Sequence, residues 1–387
     1  MYIERTIMEQ LRSAAATRPS VIVTGARQVD KTTLLRQAFP AATYITFDNL
    51  LNVESARDAP GAFLNRFAGP VILDEVQYVP SLFGALKERI DMDRDEVGRW
   101  LLTGSQRFEL LKKVSESLAG RIAIFHLESL SAFELCQNAA IRPEDVALVH
   151  LRGGYPELWK SPAIDRVAWF EDYSRTYIER DLQELVQVKD LITFRRFLGI
   201  LAARAGELVN YSNMGLACGV SNNTTKNWLS ALEVSGIVYI VPPFFSNLEK
   251  RLVKSPKIFF ADTGLLSALL GIASESQFLA RGFTGHLWEN FVFCELVKNG
   301  LGVPGKNLFF FRDHSGVELD FVIDTPELVT LIEAKYSKMI RPERLAFSRV
   351  AAAFPGRILR NRVAAPTGIA MPLPMQGYDI YDPRYSV

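Results

Sequence analysis

Residues Val21–Leu35 read VIVTGARQVDKTTLL, and the rest of the chain is organised around this stretch. Val21, Ile22, Val23 and Thr24 have the apolar, β-branched character of a buried strand. Gly25 breaks that run, a polar loop follows, and Lys31, Thr32 and Thr33 open an apolar-periodic helix. Strand, loop and helix in this order match the phosphate-loop template G-x-x-x-x-G-K-[ST]. In such a loop N–H groups converge on a β-phosphate, the helix N-terminus adds positive potential, and the lysine neutralises charge. Gly25, Ala26, Arg27, Gln28, Val29, Asp30, Lys31, Thr32 and Thr33 are therefore the expected nucleotide contacts. Asp30 stands where the template has its second glycine. A Cβ is unwelcome where backbone must approach phosphates, and a carboxylate opposes a polyanion. Weakened binding and impaired hydrolysis, with the domain intact, are the expectation.

Outward from this loop, short apolar runs alternate with helical stretches. Thr43–Phe47, Val71–Leu73, Trp100–Thr103 and Arg121–His126 read as strands, and Pro60–Phe67 and Ser81–Asp91 as helices. Runs of this kind suit parallel strands buried on both faces, so a doubly wound α/β domain is expected, with its site at the strand C-termini. Val71–Glu75 supplies a second element. Asp74, with the Thr32 hydroxyl, is the candidate Mg²⁺ holder, and Glu75 is the candidate base orienting an attacking water on bound ATP. An ordinary strand end followed by solvated acids shows the same pair. Ser105 ends the next strand and is a candidate γ-phosphate sensor. Arg121 starts the one after, either as a finger toward a neighbouring subunit's phosphate or as a surface ion pair.

Composition bounds the class. The 387 residues predict two to three domains, and 48% hydrophobic with 22% charged residues describes a folded, core-forming chain. The net charge of +1 excludes a globally basic nucleic-acid coat but not local basic patches. Cys136, Cys218 and Cys294 lack C-x-x-C spacing and read as small buried hydrophobes rather than a disulfide or zinc framework. Glu4, Arg5 and Glu9 interrupt any secretory signal, and no apolar run approaches a bilayer span, so a cytoplasmic protein with no membrane partner is expected.

The motifs Gly25-Ala-Arg-Gln-Val, Lys31-Thr-Thr, Leu73-Asp-Glu-Val-Gln, Leu102-Thr-Gly-Ser and Leu118-Ala-Gly-Arg resemble a family of prokaryotic AAA-type ATPases. In that family a C-terminal domain of unknown function, numbered 4143, follows the ATPase domain. The likeness continues through Gly153-Gly-Tyr-Pro-Glu, Glu179-Arg-Asp, Lys257-Ile-Phe-Phe-Ala-Asp-Thr-Gly-Leu and Glu333-Ala-Lys335, and departs at Asp30, where the family has glycine. ATP and Mg²⁺ are the expected cofactors, Lys31, Glu75, Ser105 and Arg121 the catalytic candidates, and Arg121 read as a finger in trans leads to the expectation of a homo-oligomer.

Three segments are expected: an ATPase domain over residues 1–150, a helical and winged-helix region over 151–260, and a restriction-endonuclease-like α/β domain over 261–387. Phe170, Tyr173, Tyr177, Asp181 and Leu185 recur at helical steps, as a core stripe does. Phe194–Ala205, a short helix from Asn210, the turn Cys218-Gly-Val-Ser, the helix Asn222–Val234 and the strand Gly236–Val241 give the order of a winged helix. Asn222, Asn223, Thr225, Lys226 and Asn227 could meet phosphates or base edges, although such modules also contact proteins. Lys250, Arg251, Lys254 and Lys257 form an acid-free basic cluster suited to DNA. Near the end, Glu289 lies on a helix, Asp320 on one strand, and Glu333 and Lys335 on the same face of another. Two carboxylates and a lysine from adjacent strands, with a helical glutamate, can build a Mg²⁺ site for phosphodiester hydrolysis. The set is similar to the D…E-x-K core of restriction-endonuclease-like domains, in which Asp320 and Glu333 would hold metal, Lys335 stabilise charge or activate water, and Glu289 assist. Three readings follow: an ATPase coupling nucleotide state to DNA or a partner, a nucleotide-dependent assembly protein without turnover, and an ATP-gated nuclease.

Overall fold

The computed structural model describes residues 2–105, 117–142, 144–178, 190–245, 255–280, 282, 284–337 and 339–385, with the side chain of Ser105 outside this set. The chain forms two compact units, Tyr2–Glu128 and a second one comprising Ser129–Glu233 and Ile237–Val387.

In the first unit, β1 (Ser20–Gly25), β2 (Thr43–Thr46), β3 (Val71–Asp74), β4 (Trp100–Ser105) and β5 (Ile122–His126) form one parallel sheet in the order β2-β3-β4-β1-β5. Every residue of β1 is buried, as its continuous β-branched run requires. Helices Met8–Ala15, Lys31–Ala38, Leu50–Asp58, Pro60–Leu64 and Leu82–Met92 connect and cover the strands. Ile22, Leu73, Trp100 and Leu102 pack with Phe63, Phe83 and Leu86 in one core cluster. Burying each large apolar side chain stabilises the fold by about 1.5–3 kcal/mol. The strand C-termini that carry the loop are thereby set on a rigid base.

In the second unit, helices Leu191–Ala203, Tyr211–Cys218 and Asn222–Val234 are followed by β6 (Val238–Val241), which pairs antiparallel with β7 (Lys257–Phe260). The N-caps Asp190 and Asn210 start the first two helices, and Gly219, in the left-handed region, ends the second. A six-stranded mixed sheet then runs β12-β13-β11-β10-β9-β8, built from Leu308–Arg312 (β8), Glu318–Asp324 (β9), Val329–Ala334 (β10), Leu359–Ala364 (β11), Leu373–Met375 (β12) and Tyr378–Tyr381 (β13). The Tyr378–Val387 tail, without functional signal in the sequence, thus contributes a strand inside this sheet.

The break falls after Glu128, and residues 151–233 and 237–260 belong to the same unit as 261–387. The reason is local. Asn290 on the Thr284–Lys298 helix both accepts from and donates to the Phe260 backbone at the end of β7. Buried Asp262 accepts from Ser129 Oγ (2.9 Å) and from Gly154 N (2.7 Å), so the Gly153-Gly154-Tyr155-Pro156 motif is fastened to the Ala261-Asp262 motif. Among the described residues no helix is long and apolar enough to cross a membrane.

Candidate nucleotide site

The loop between β1 and the Lys31–Ala38 helix is set by close backbone approach. At Gly25, which has φ +150°, an added Cβ would lie 2.2 Å from Leu127 O, so only glycine lets β1 enter the loop beside β5. Asp30 is the helix N-cap residue, at φ 69° and ψ 34° in the left-handed region, and its side chain makes no capping bond. The template glycine position therefore demands here the conformation that glycine adopts freely and aspartate tolerates at a cost. Gln28 also has positive φ, at 62°.

Lys31 is buried at 6% exposure, and its ammonium folds back on the loop, donating to Gly25 O (3.1 Å) and Ala26 O (2.8 Å). Burial holds its pKa below the ordinary lysine value, opposed by the nearby Glu75 and Asp74 carboxylates. Thr32 Oγ1 donates to Asp74 Oδ1 at 2.6 Å, so the hydroxyl and carboxylate singled out for Mg²⁺ are in contact. Two further hydroxyls converge on Asp74: Thr103 on Oδ1 and Tyr44 on Oδ2, the latter at 2.9 Å. That carboxylate and burial together push the Tyr44 phenol up to about 12, burial being the larger cause. Glu75 sits at φ 59°, its N–H donates to Thr103 Oγ1 (3.0 Å), and Gln77 Nε2 donates to its carboxylate. Val29 is fully buried at the loop tip, while Arg27, Asp30, Thr32 and Thr33 are partly open and Gln28 is exposed. Ser105 pairs in register with Gly25, which places its backbone at the root of the loop.

Some residues of the site carried no motif. Arg5 is buried and bridges two elements, donating to Val29 O (3.2 Å) and Glu128 O (2.8 Å). It ties the loop tip to the end of the β5 segment. His126, in register with Thr24, has its Nε2 2.8 Å from Glu128 Oε1. Its pKa is raised: burial pulls it down, but the Glu128 carboxylate outweighs both burial and the nearby Lys31 charge. Thr103 had a visible signal, since it precedes the Gly104-Ser105 pair from which the sequence reading took Ser105. Arg5 had none, because its partners are backbone carbonyls far along the chain.

Arg121 lies at the opposite edge of the sheet from the loop, where its backbone carbonyl accepts from Ser20 N at the start of β1. Its guanidinium is gripped by Asp91, with Nε–Oδ1 2.7 Å and Nη2–Oδ2 2.8 Å. This is the ion pair allowed for in the sequence, and it lowers the Asp91 pKa to about 2. Arg18, Arg94 and Arg121 line a cavity of about 370 Å³ there.

In the second unit, two expected DNA contacts are corrected. Thr225 is fully buried and its hydroxyl donates to Ser221 O (3.2 Å), because it faces the helix core. Lys257 is 3% exposed and ion-paired with Glu289 and Glu318, so it belongs to no surface patch. Lys250, Arg251 and Lys254 lie outside the described residues, as do Glu179-Arg180-Asp181 and Leu185. Asn222, Asn223, Lys226 and Asn227 are exposed, with Lys226 5.5 Å over the Tyr211 ring and Asn222 Nδ2 2.9 Å from Ser212 Oγ. The structure does bring Asp320, Glu333 and Lys335 together: Lys335 Nζ is 2.7 Å from Glu333 Oε2 and 3.9 Å from Asp320 Oδ2. Glu289 is ion-paired with Lys257 at 2.9 Å, and burial and the Asp320 charge raise its pKa to about 7. Among the described residues no group of three or more His, Cys, Asp or Glu side chains is arranged to hold a metal ion.

A parallel sheet in this order, with a strand–loop–helix carrying Lys31-Thr32 opposite Asp74, defines a P-loop ATPase-like domain of the AAA type. Residues 17–136 match the AAA domain model, residues 143–276 a domain of unknown function (DUF8612), and residues 284–372 a domain of unknown function (DUF4143). The chain is 35% identical over 328 residues to the uncharacterized proteins Rv2008c of Mycobacterium tuberculosis and Mb2031c of Mycobacterium bovis, covering 84% of this chain and 72% of each of those. It belongs to their family, in which an AAA-type P-loop ATPase domain precedes DUF4143. Among solved structures it is similar to the Walker-type ATPase PABY2304 of Pyrococcus abyssi, with 16% identity, 69% of this chain and 96% of that chain covered, and a TM-score of 0.44. It is also similar to the Thermotoga maritima RuvB Holliday junction branch migration motor, with 17% identity, 62% and 90% coverage, and a TM-score of 0.32.

Proposed function

We propose that this protein is a cytoplasmic, AAA-type ATP-binding protein that couples nucleotide state to DNA or a partner through its second unit, with turnover impaired by Asp30. The observation that carries the reading is the Lys31, Thr32 and Asp74 constellation at the C-terminal ends of β1 and β3. The donors fit ATP and Mg²⁺: an ammonium for the β/γ-phosphates, and a hydroxyl and a carboxylate in contact for the metal. Glu75, beside them, is the group to orient the attacking water. Fluorescent-ATP titration tests the reading, with binding Mg²⁺-dependent and lost in Lys31→Ala.

A second reading, nucleotide-dependent assembly without turnover, is favoured by the left-handed Asp30 and by the Lys31 ammonium resting on loop carbonyls. Steady-state ATPase measurement with and without DNA separates the two. The helix–turn–helix and β6–β7 support a winged-helix module that presents Asn222, Asn223 and Lys226 to DNA or protein. Arg121 and its arginine-lined cavity suit assembly into a homo-oligomer through the ATPase domain.

A further inference from the structure

A divalent metal in the C-terminal cluster is what a nuclease-like reading calls for, and the residues present do not fit one. Lys257 on β7 projects its ammonium among the carboxylates, 2.9 Å from Glu289 Oε1 on the Thr284–Lys298 helix and 2.6 Å from Glu318 Oε1 on β9. Lys335 brings a second ammonium from beyond β10, 2.7 Å from Glu333 Oε2. Backbone donors take further oxygens: Ala334 N donates to Asp320 Oδ2 (2.7 Å) and Ala346 N to Glu333 Oε1 (3.1 Å). Mg²⁺ needs about six oxygens near 2.0–2.1 Å, whereas an ammonium is satisfied by two or three acceptors at hydrogen-bond distance. The observed spacing is that of an ammonium nest.

We propose that Lys257 is a built-in cation that ties up Glu289, a carboxylate that a catalytic metal would need, and that the cluster locks β7 onto the six-stranded sheet instead of cleaving phosphodiesters. This rests on the nuclease-like reading of the cluster and not on the ATP site. A metal that takes Glu289 as a ligand must first displace the buried Lys257 ammonium from that carboxylate. The lock also reaches the helical region, because β7 pairs with β6 and Leu208 bridges to Lys257.

The test uses the full chain without nucleotide. Mn²⁺ binding is followed by electron paramagnetic resonance for the unaltered chain, Glu289→Gln, Lys257→Met and Lys257→Met/Glu289→Gln. Acylation of each lysine by an amine-selective reagent is read by mass spectrometry. Expected are Mn²⁺ binding by the unaltered chain that ignores Glu289→Gln, and Lys257 acylation about tenfold slower than that of exposed Lys226. Lys257→Met should gain a Mn²⁺ site that Glu289→Gln removes. Glu289-dependent Mn²⁺ binding by the unaltered chain overturns the proposal, as does Lys257 reacting as fast as Lys226, or a folded Lys257→Met that gains no metal. If Lys257→Met does not fold, the first two measurements decide.

Discussion

Replacing Asp30 by glycine should strengthen ATP binding far more than it alters folding. The backbone at this position is left-handed, φ 69° and ψ 34°, which costs a non-glycine residue about 1–2 kcal/mol, with aspartate among the better tolerated. Glycine removes that strain but returns about 0.5–1 kcal/mol of entropy to the unfolded chain, so stability should change by no more than about 1 kcal/mol. Binding responds to charge. At roughly 6 Å and an effective dielectric near 20, a carboxylate opposes each unit of phosphate charge by about 3 kcal/mol. Lys31, a metal ion and solvent offset part of this, leaving about 1.5–3 kcal/mol, or roughly 10- to 100-fold in Kd. The assay is a fluorescent-ATP titration of the unaltered chain and Asp30→Gly, with urea unfolding of both in parallel. Affinities within about twofold of one another, with unchanged unfolding midpoints, would refute the electrostatic argument.

Arg5→Ala removes two charge-assisted bonds to Val29 and Glu128 carbonyls and should destabilise the first unit by about 2–4 kcal/mol in urea unfolding, with Arg5→Lys restoring part of it. His126 has a pKa above its ordinary value, so the folded state holds the proton more tightly. Its stabilisation is complete below the unfolded pKa and lost as pH rises through the folded one; His126→Gln should flatten the fall in unfolding midpoint as pH rises above the ordinary histidine range. If sites are shared between subunits, mixing Arg121→Ala with Lys31→Ala chains in an Asp30→Gly background should recover ATPase activity that neither has alone. Mixtures as inactive as their components would leave Arg121 a structural partner of Asp91. DNA retention by the second unit should weaken with salt and with Lys226→Glu, whereas Thr225→Ser, at a buried position, should leave any base preference unchanged.

The phosphate loop was legible because strand, loop and helix are contiguous and each has its own periodicity. Val21–Val23, Lys31 and Thr32 needed no distant partner to be placed, and Asp74 was singled out because it ends a short apolar strand that follows a phosphate loop. Tyr44 and Arg5 were not, since their roles exist only once β2 and β3 align or the N-terminal segment meets the Val29 carbonyl. The basic cluster failed at Lys257 for a physical reason. Sequence proximity to Lys250, Arg251 and Lys254 suggested a solvated face, but Lys257 opens a β-strand whose alternation turns it toward Glu289 and Glu318. Thr225 failed similarly: one turn decides whether a helix residue faces out or in, and Trp228 and Leu229 share its buried side. Strand alternation put Glu333 and Lys335 on one face, and Lys335 Nζ lies 2.7 Å from Glu333 Oε2 and 3.9 Å from Asp320 Oδ2.

The central claim is that Lys31, Thr32 and Asp74 together hold a nucleotide and its metal. It is tested most directly by titrating ATP, with and without Mg²⁺, into Asp30→Gly and into Asp30→Gly/Lys31→Ala. The account predicts Mg²⁺-dependent binding by the first and none by the second. Equal affinity in the two variants would contradict it.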